Sequence, residues 1–291
     1  MGRVEGKVAF VTGAARGQGR AHAVRLAEEG ADIIAVDVCR QLETVPYAMA
    51  TPADLAETAQ LVEDLDRRIL VREADVRDSA QLAEVVRDGV AELGQLDIVV
   101  ANAGIASVGP ALELSEEIWQ EMIDVNLTGV WKTIKAAVPA MIAAGRGGSV
   151  ILTSSAAGLR GFPNLTHYVA AKHGVVGMMR ALAQELAPHM IRVNTVNPTT
   201  VDTPMVMNDM FYGLVRPDLE APGRDDTAEA FVGLNCLPVP WVETIDISNA
   251  VLWLASDEAR FVTGVALPID AGFCEKIGGT PLVLPDAGGA A

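Results

Sequence analysis

The chain has 291 residues, half of them apolar, enough to bury a substantial core as one large α/β domain or two small ones. Its net charge of −16 sets an unfavourable field against phosphate backbones and anionic lipid, and no basic run offsets it, which argues against nucleic-acid and membrane-surface roles. The longest stretch free of Asp, Glu, Lys and Arg, Ile98 to Leu112, is too short and too broken by Asn102, Gly104 and Pro110 to span a bilayer, and Met1 to Lys7 lacks an apolar signal core.

Val8-Ala-Phe-Val11 reads as a buried strand that breaks into Thr12-Gly13-Ala-Ala-Arg16-Gly17-Gln18-Gly19, followed by helix-forming residues to Glu29 and a cap at Gly30. Asp32 to Asp37 supplies a second strand, completing a βαβ pattern with parallel strands and a right-handed crossover. Glycines at 13, 17 and 19 let backbone and a helix N-terminus approach a pyrophosphate. Their spacing is Gly-x-x-x-Gly-x-Gly rather than the generic Gly-x-Gly-x-x-Gly, so the strand, turn and helix context carries the reading. Asp37, ending the second strand, suits hydrogen bonds from an adenosine ribose and repels a 2′-phosphate, which favours NAD over NADP. Arg16 is either a guanidinium within reach of such a phosphate or an exposed loop residue.

From Cys39 to Ile69 the chain is longer than a simple crossover needs, with a polar loop through Pro46 and then a helix capped by Thr51, opened by Pro52 and running to about Arg68. Ile69 to Glu73 is the third strand; Asp75 and Val76 beyond it lie near an adenine or form a plain strand-end turn. Ser79 to Leu93 is an amphipathic helix, and Asp97 to Ala101 a fourth strand running into Asn102-Ala103-Gly104, which suits close packing against a cofactor. Ser115 to Ala144 reads as one long helix containing Asn126, either a satisfied core amide or a functional one. Ser149 to Thr153, the fifth strand, delivers Ser155 to the carboxyl edge of the sheet, where open α/β folds bind ligands.

A helix from about Leu165 must stop near Pro188; Ile191 to Val196 is the sixth strand, Glu243 to Ser256 a further helix and Ala266 to Ile269 the last strand. The expected fold is α/β, a single Rossmann-type domain over residues 1–272 with a doubly wound parallel sheet of about seven strands and helices on both faces. Residues 199–241 break the alternation. Rich in proline and in Met205, Met207, Met210 and Phe211, they read as an adaptable apolar substrate lid or as an excrescence packed on the core. Residues 273–291 form a C-terminal tail.

Tyr168 and Lys172 are four apart, so a helix raises both from one face, one turn apart. A cation within reach of a phenol favours the ionised form, making this pair a candidate acid/base centre, although Tyr-x-x-x-Lys by itself is common on solvated helix faces. Cys39, Cys236 and Cys274 are odd in number without metal-type spacing, which suits a reducing cytoplasm. His22, His167, His173 and His189 form no ligand pair at i, i+4 spacing, so no catalytic metal is expected.

Thr12-Gly13-x-x-x-Gly17-x-Gly19, Asn102-Ala-Gly104, Asn126, Ser155 and Tyr168-x-x-x-Lys172, in this order, resemble the short-chain dehydrogenase/reductase family over roughly residues 5 to 272. The resemblance implies NAD-dependent interconversion of a secondary alcohol and its ketone. Its catalytic tetrad falls on Asn126, Ser155, Tyr168 and Lys172, with Asn126 holding a water that links Lys172 to solvent. Ser155 is preferred to Ser154 because the family sets this serine about thirteen positions before the tyrosine. The cofactor contacts it implies are Gly13, Arg16, Gly17, Gln18, Gly19, Asp37, Val38, Asp75, Val76, Asn102, Ala103, Gly104, Tyr168, Lys172, Pro198, Thr199, Val201 and Thr203.

Pro198-Thr199 stands where the family usually has Pro-Gly. With the long segment after Asp37, this is similar to the carveol-dehydrogenase-like subgroup associated with mycofactocin, a peptide-derived redox carrier. That implies NAD held tightly enough to be recycled in place, and a mycofactocin-type electron acceptor. The family also implies a homo-oligomer, tetramer or dimer, formed through the two long helices with Val175, Met178, Met179, Leu182 and Leu186 as apolar surface. Two other readings are a nucleotide-sugar epimerase or dehydratase, whose glycine turn normally differs, and a non-catalytic NAD-binding sensor or scaffold on the same fold.

Overall fold

The computed structural model describes residues 2–276; most of the expected tail, 277–291, lies outside the described residues. Seven short runs rich in Val, Ile and Leu form strands because β-branched and apolar side chains pack well on a sheet covered on both faces. They are β1 (Val8–Thr12), β2 (Asp32–Asp37), β3 (Ile69–Glu73), β4 (Ile98–Ala101), β5 (Gly148–Thr153), β6 (Ile191–Pro198) and β7 (Ala266–Ile269). All pair parallel, in the order β3-β2-β1-β4-β5-β6-β7, so the direction of winding reverses between β1 and β4.

The period-two alternation of a strand divides the core into two layers. Val8 and Phe10 of β1, with Ile34 and Val36 of β2, face α3 (Ser79–Leu93), α4 (Glu116–Ile123), α5 (Gly129–Ala144) and α6 (Thr166–Glu185). Ala9, Val11, Ile33 and Ala35 face α1 (Gly17–Glu28), α2 (Pro52–Glu63) and α9 (Thr244–Ala255). The region 199–241 contributes α7 (Asp209–Val215) and α8 (Arg224–Leu234) beyond the carboxyl end of β6.

Two expectations change and one gains detail. The helix expected to reach Arg68 ends at Glu63, and Asp66 adopts φ 55, so the chain turns early into β3. The long helical stretch expected from Ser115 to Ala144 is present, and within it Asp124–Thr128 forms a π turn centred on Asn126. Of the residues expected to supply an oligomer surface, Val175, Met179 and Leu186 are buried in the chain's own core, and only Met178 and Leu182 are partly exposed.

His22 joins α1 to α9 through Nδ1, 2.8 Å from Ser248 Oγ, while its buried Nε2 has no partner. Burial pulls its pKa from 6.5 to about 3, because charging a desolvated imidazole is unfavourable. The unfolded chain takes up a proton that the folded chain refuses, so this stability is full above pH 6.5 and is lost as pH falls towards 3, by at most about 1.4 kcal/mol per pH unit. Melting curves from neutral to mildly acidic pH are expected to show a falling Tm in the wild type and a smaller fall in His22→Gln, which cannot take up the proton.

Candidate functional site

The carboxyl ends of the strands open into one cleft, lined by the glycine turn after β1, the ends of β2 to β6 and the root of the 199–241 segment. Its position at the β1/β4 reversal is where open parallel sheets leave a crevice. All eighteen positions expected to contact cofactor line it.

At the glycine turn the close approach is steric. Gly13 has φ 66, and a Cβ there would lie 2.8 Å from Ala103 Cα; a Cβ on Gly19 would lie 1.9 Å from the Gly13 carbonyl oxygen. Thr12 Oγ1 accepts from the Asn102 and Ala103 amides, and Asn102 Nδ2 donates to the Thr12 carbonyl at 3.1 Å, so the Asn102 side chain braces the turn. Helix α1 starts at Gly17 with no side-chain cap from Arg16, leaving N-terminal amides open to an anion. Gln18 Oε1 is buried in this wall without a partner. A dinucleotide fits these groups: open amides for a pyrophosphate, an orphaned amide oxygen, and the Asp37 carboxylate for a ribose.

Asp37 accepts from the Ala15 amide at 3.0 Å and the Cys39 amide at 3.3 Å, and among the described residues no Lys or Arg pairs with it. The Arg16 guanidinium, also on the cleft wall, donates to the Ala48 carbonyl. Asp75 is tied to Arg77 and Arg40, both at 2.7 Å. Burial raises its pKa, but the Arg77 hydrogen bonds and the two guanidinium charges outweigh it and hold the carboxyl below its usual range.

The segment between β2 and α2, expected only as a long polar loop, folds back as a strap: Leu42, Tyr47, Met49 and Ala50 line the cleft. The Gln41 side chain staples it, donating to Leu42, Val45 and Tyr47 carbonyls and accepting from the Met49 amide. Tyr47 Oη accepts from the Ala106 amide at 3.1 Å, Thr44 bonds Glu121 of α4, and Arg16 holds Ala48, so the strap is tied on both sides. Its cluster of Leu42, Val45, Tyr47 and Met49 was the available sequence signal.

Ser155, Tyr168 and Lys172 converge on the wall next to Pro198 and Thr199. Ser154, one residue earlier, also lines the cleft but is buried with its hydroxyl donating to the Lys172 carbonyl at 3.0 Å, whereas Ser155 hydrogen-bonds Tyr168. Lys172 is 3% exposed; its Nζ donates to the Thr153 carbonyl at 2.9 Å and lies 5.5 Å from the Tyr168 ring centre. Burial pulls the Lys172 pKa down to about 8. Burial also pushes the Tyr168 phenol up, opposed by its hydrogen bond with Ser155, so the serine is the group that favours the phenolate in this geometry.

Asn126 does not line the cleft. It is fully buried in the π turn, with Oδ1 accepting from the Ile105 amide and Nδ2 donating to the Ile105 carbonyl, each at 2.8 Å. A Cβ on Gly104 would lie 3.3 Å from Asn126 Oδ1 and 3.6 Å from Lys172 Nζ, so the chain after β4 lies against both residues.

The root of the 199–241 segment closes the cleft opposite the glycine turn. Val201 bridges to Val242, a Cβ added at Gly17 would lie 3.4 Å from Thr203 Cγ2, and Arg224 holds Asp202 at 2.8 Å while stacking on Trp241. Met205 and Val206 add apolar lining that the sequence did not assign to the cofactor set.

The architecture has close counterparts. The crystal structure of carveol dehydrogenase from Mycobacterium avium in complex with NAD superposes with a TM-score of 0.94 at 60% identity, covering 95% of this chain and 100% of that one. A (−)-trans-carveol dehydrogenase from Rhodococcus erythropolis is 56% identical over 274 residues, 94% of this chain and 99% of that protein. A trans-4-hydroxycyclohexanecarboxylate dehydrogenase from Sinomonas cyclohexanicum is 40% identical over 271 residues, 93% of each. The short chain dehydrogenase family matches residues 7–210, from the first strand through the glycine turn and the Ser155, Tyr168 and Lys172 cluster to the start of the lid region, and the chain belongs to that family.

Proposed function

We propose that this chain interconverts hydrophobic, cyclic secondary alcohols and their ketones by hydride transfer with NAD. The observation that carries the reading is the placement of Ser155, Tyr168 and Lys172 on one wall of the cleft that also holds the glycine turn and Asp37. NAD, when bound, supplies the hydride acceptor at its nicotinamide ring. Tyr168 Oη takes the proton of the substrate hydroxyl in oxidation and returns it in reduction. Ser155 Oγ holds the substrate oxygen and favours the phenolate; Lys172, fixed by the Thr153 carbonyl, holds the nicotinamide ribose and the proton path. Asn126 keeps the Gly104-Ile105 segment in place.

The 199–241 segment acts as the substrate lid, and its methionines, with Met205 on the cleft wall, support an apolar substrate. The related dehydrogenases that act on carveol and on trans-4-hydroxycyclohexanecarboxylate support a ring-bearing alcohol. The strap supports tight retention of NAD, with reoxidation in place by a mycofactocin-type acceptor. The exposed Trp119 and Trp131 on α4 and α5 support a homo-oligomer, dimer or tetramer, and a cytoplasmic location suits the free cysteines.

The test is to denature purified protein, identify any nicotinamide released, and assay carveol, menthol, cyclohexanol and small polar alcohols with NAD, with and without an artificial electron acceptor. Cyclic alcohols are expected to be oxidised fastest, with released NAD and acceptor-dependent turnover. Small polar alcohols as best substrates would overturn the substrate class, and bound NAD without turnover of any alcohol would favour the sensor reading.

A further inference from the structure

The chain after β4 is held at three consecutive residues by three different elements. Asn126 of the π turn takes both backbone groups of Ile105, Tyr47 of the strap takes the Ala106 amide, and His167 of α6 takes the Ser107 hydroxyl. The first two bonds come from residues with a reason to be near the cleft. The third comes from the residue immediately before Tyr168.

His167 is fully buried and Ser107 is 7% exposed, with Nε2 2.8 Å from Oγ. Among the described residues Nδ1 of the same ring is buried without a partner, and Ser107 is the imidazole's one hydrogen-bond partner. A buried imidazole with an unmet nitrogen costs stability, and a packing role would be served as well by an apolar side chain. The local helix geometry explains what the ring does here. Helix α6 begins at Thr166, its N-cap Leu165 makes no side-chain cap hydrogen bond, and Asn164 before it sits at φ 62. Tyr168 is therefore the third residue of a helix whose opening turn lacks the usual cap. Two bonds tie that turn to the post-β4 chain: Ser107 with His167, and the Gly109 amide to the Asn164 carbonyl at 2.9 Å.

We infer that His167 is a positioning residue which, through Ser107, locks the uncapped first turn of α6 to the post-β4 loop and so sets the Tyr168 hydroxyl against the cofactor and substrate. This rests on the proton-transfer role proposed for Tyr168. The loop it grips carries Ile105 on the cleft wall and lies against both Asn126 and Lys172, so one side-chain bond aligns the phenol with the rest of the tetrad. Misplacement of a reacting group by about 1 Å can lower a rate by about 100-fold.

The test is kinetic, on the full chain, with Ser107→Ala, His167→Leu, His167→Gln and the double variant Ser107→Ala/His167→Leu, using whichever of carveol, menthol and cyclohexanol the wild type turns over fastest. Ser107→Ala and His167→Leu are each expected to lower kcat by about 10- to 100-fold, with nucleotide affinity within about twofold. His167→Gln, whose amide reaches the position of Nε2, is expected to recover kcat to within about threefold, and the double variant to be no worse than the poorer single within about twofold, as for two ends of one interaction. Wild-type kcat in both single variants, multiplicative losses in the double variant, or a Gln variant as slow as the Leu variant would overturn the inference. Should His167→Leu fail to fold, Ser107→Ala and His167→Gln still decide it. Tyr168→Phe separates the two ideas, since a slow Tyr168→Phe beside an unaffected Ser107→Ala rejects only the positioning role, whereas an active Tyr168→Phe rejects the role of the phenol itself.

Discussion

Replacing Tyr168 by Phe is expected to lower kcat by about 10²- to 10⁴-fold, the usual contribution of a positioned acid/base group, while nucleotide binding and Tm stay near wild type. The ring packs against the core cluster in either case, and only the ionisable oxygen is removed. Steady-state turnover of the fastest panel alcohol, with nucleotide affinity measured separately, checks this; near-wild-type kcat would move the base elsewhere. The pH dependence follows from the same geometry. Burial raises the phenol pKa, so the phenolate needed for oxidation accumulates only at higher pH, and the protonated form needed for ketone reduction persists to higher pH. Ser155 supplies the hydrogen bond that opposes this shift, so in Ser155→Ala the rising, acid-side limb of the oxidation profile moves to higher pH.

Lys172→Met is expected to separate activity from stability. The ammonium is almost wholly buried and burial lowers its pKa from 10.5 to about 8, a cost to the folded state on the order of 3 kcal/mol at neutral pH. Because the folded pKa is the lower one, the unfolded chain binds the extra proton between about 8 and 10.5, and wild-type stability rises with pH across that window. Methionine fills a similar volume without the charge. It forfeits the bond to the Thr153 carbonyl, worth about 1–3 kcal/mol when a buried acceptor is left unmet. The expected result is a Tm at neutral pH equal to or above wild type, loss of the alkaline rise in Tm, and a kcat reduced by about 100-fold or more. A variant with lower Tm and retained kcat would mean that the lysine is structural.

Much of the site was legible because its motifs sit where regular structure ends. An apolar strand followed by Thr12 to Gly19 has few conformations open to it, and Tyr168 and Lys172 share a face in any helix. What escaped depended on partners distant in sequence. The strap reads as a polar loop until Arg16, Ala106 and Glu121 are seen to hold it. Asn126 reads equally as core or catalytic until Ile105 takes both its polar atoms. Helix periodicity alone cannot tell an oligomer face from a core face, which is why Val175 and Met179 turned inward.

The sequence by itself determined the parallel α/β fold, the strand-end positions of Gly13, Asp37, Asn102 and Ser155, and the tyrosine–lysine pair, because these follow from local periodicity and from short-range turn chemistry. Only the tertiary structure decided that the Ser154 hydroxyl is engaged by the Lys172 carbonyl, that Arg16 donates to the Ala48 carbonyl, and that the helix around Asn126 opens into a π turn. It alone brought Tyr47, Asn126 and His167 onto three successive residues of one loop. Those outcomes rest on hydrogen bonds between groups up to 60 positions apart, and such pairings are set by how the layers pack rather than by any local pattern.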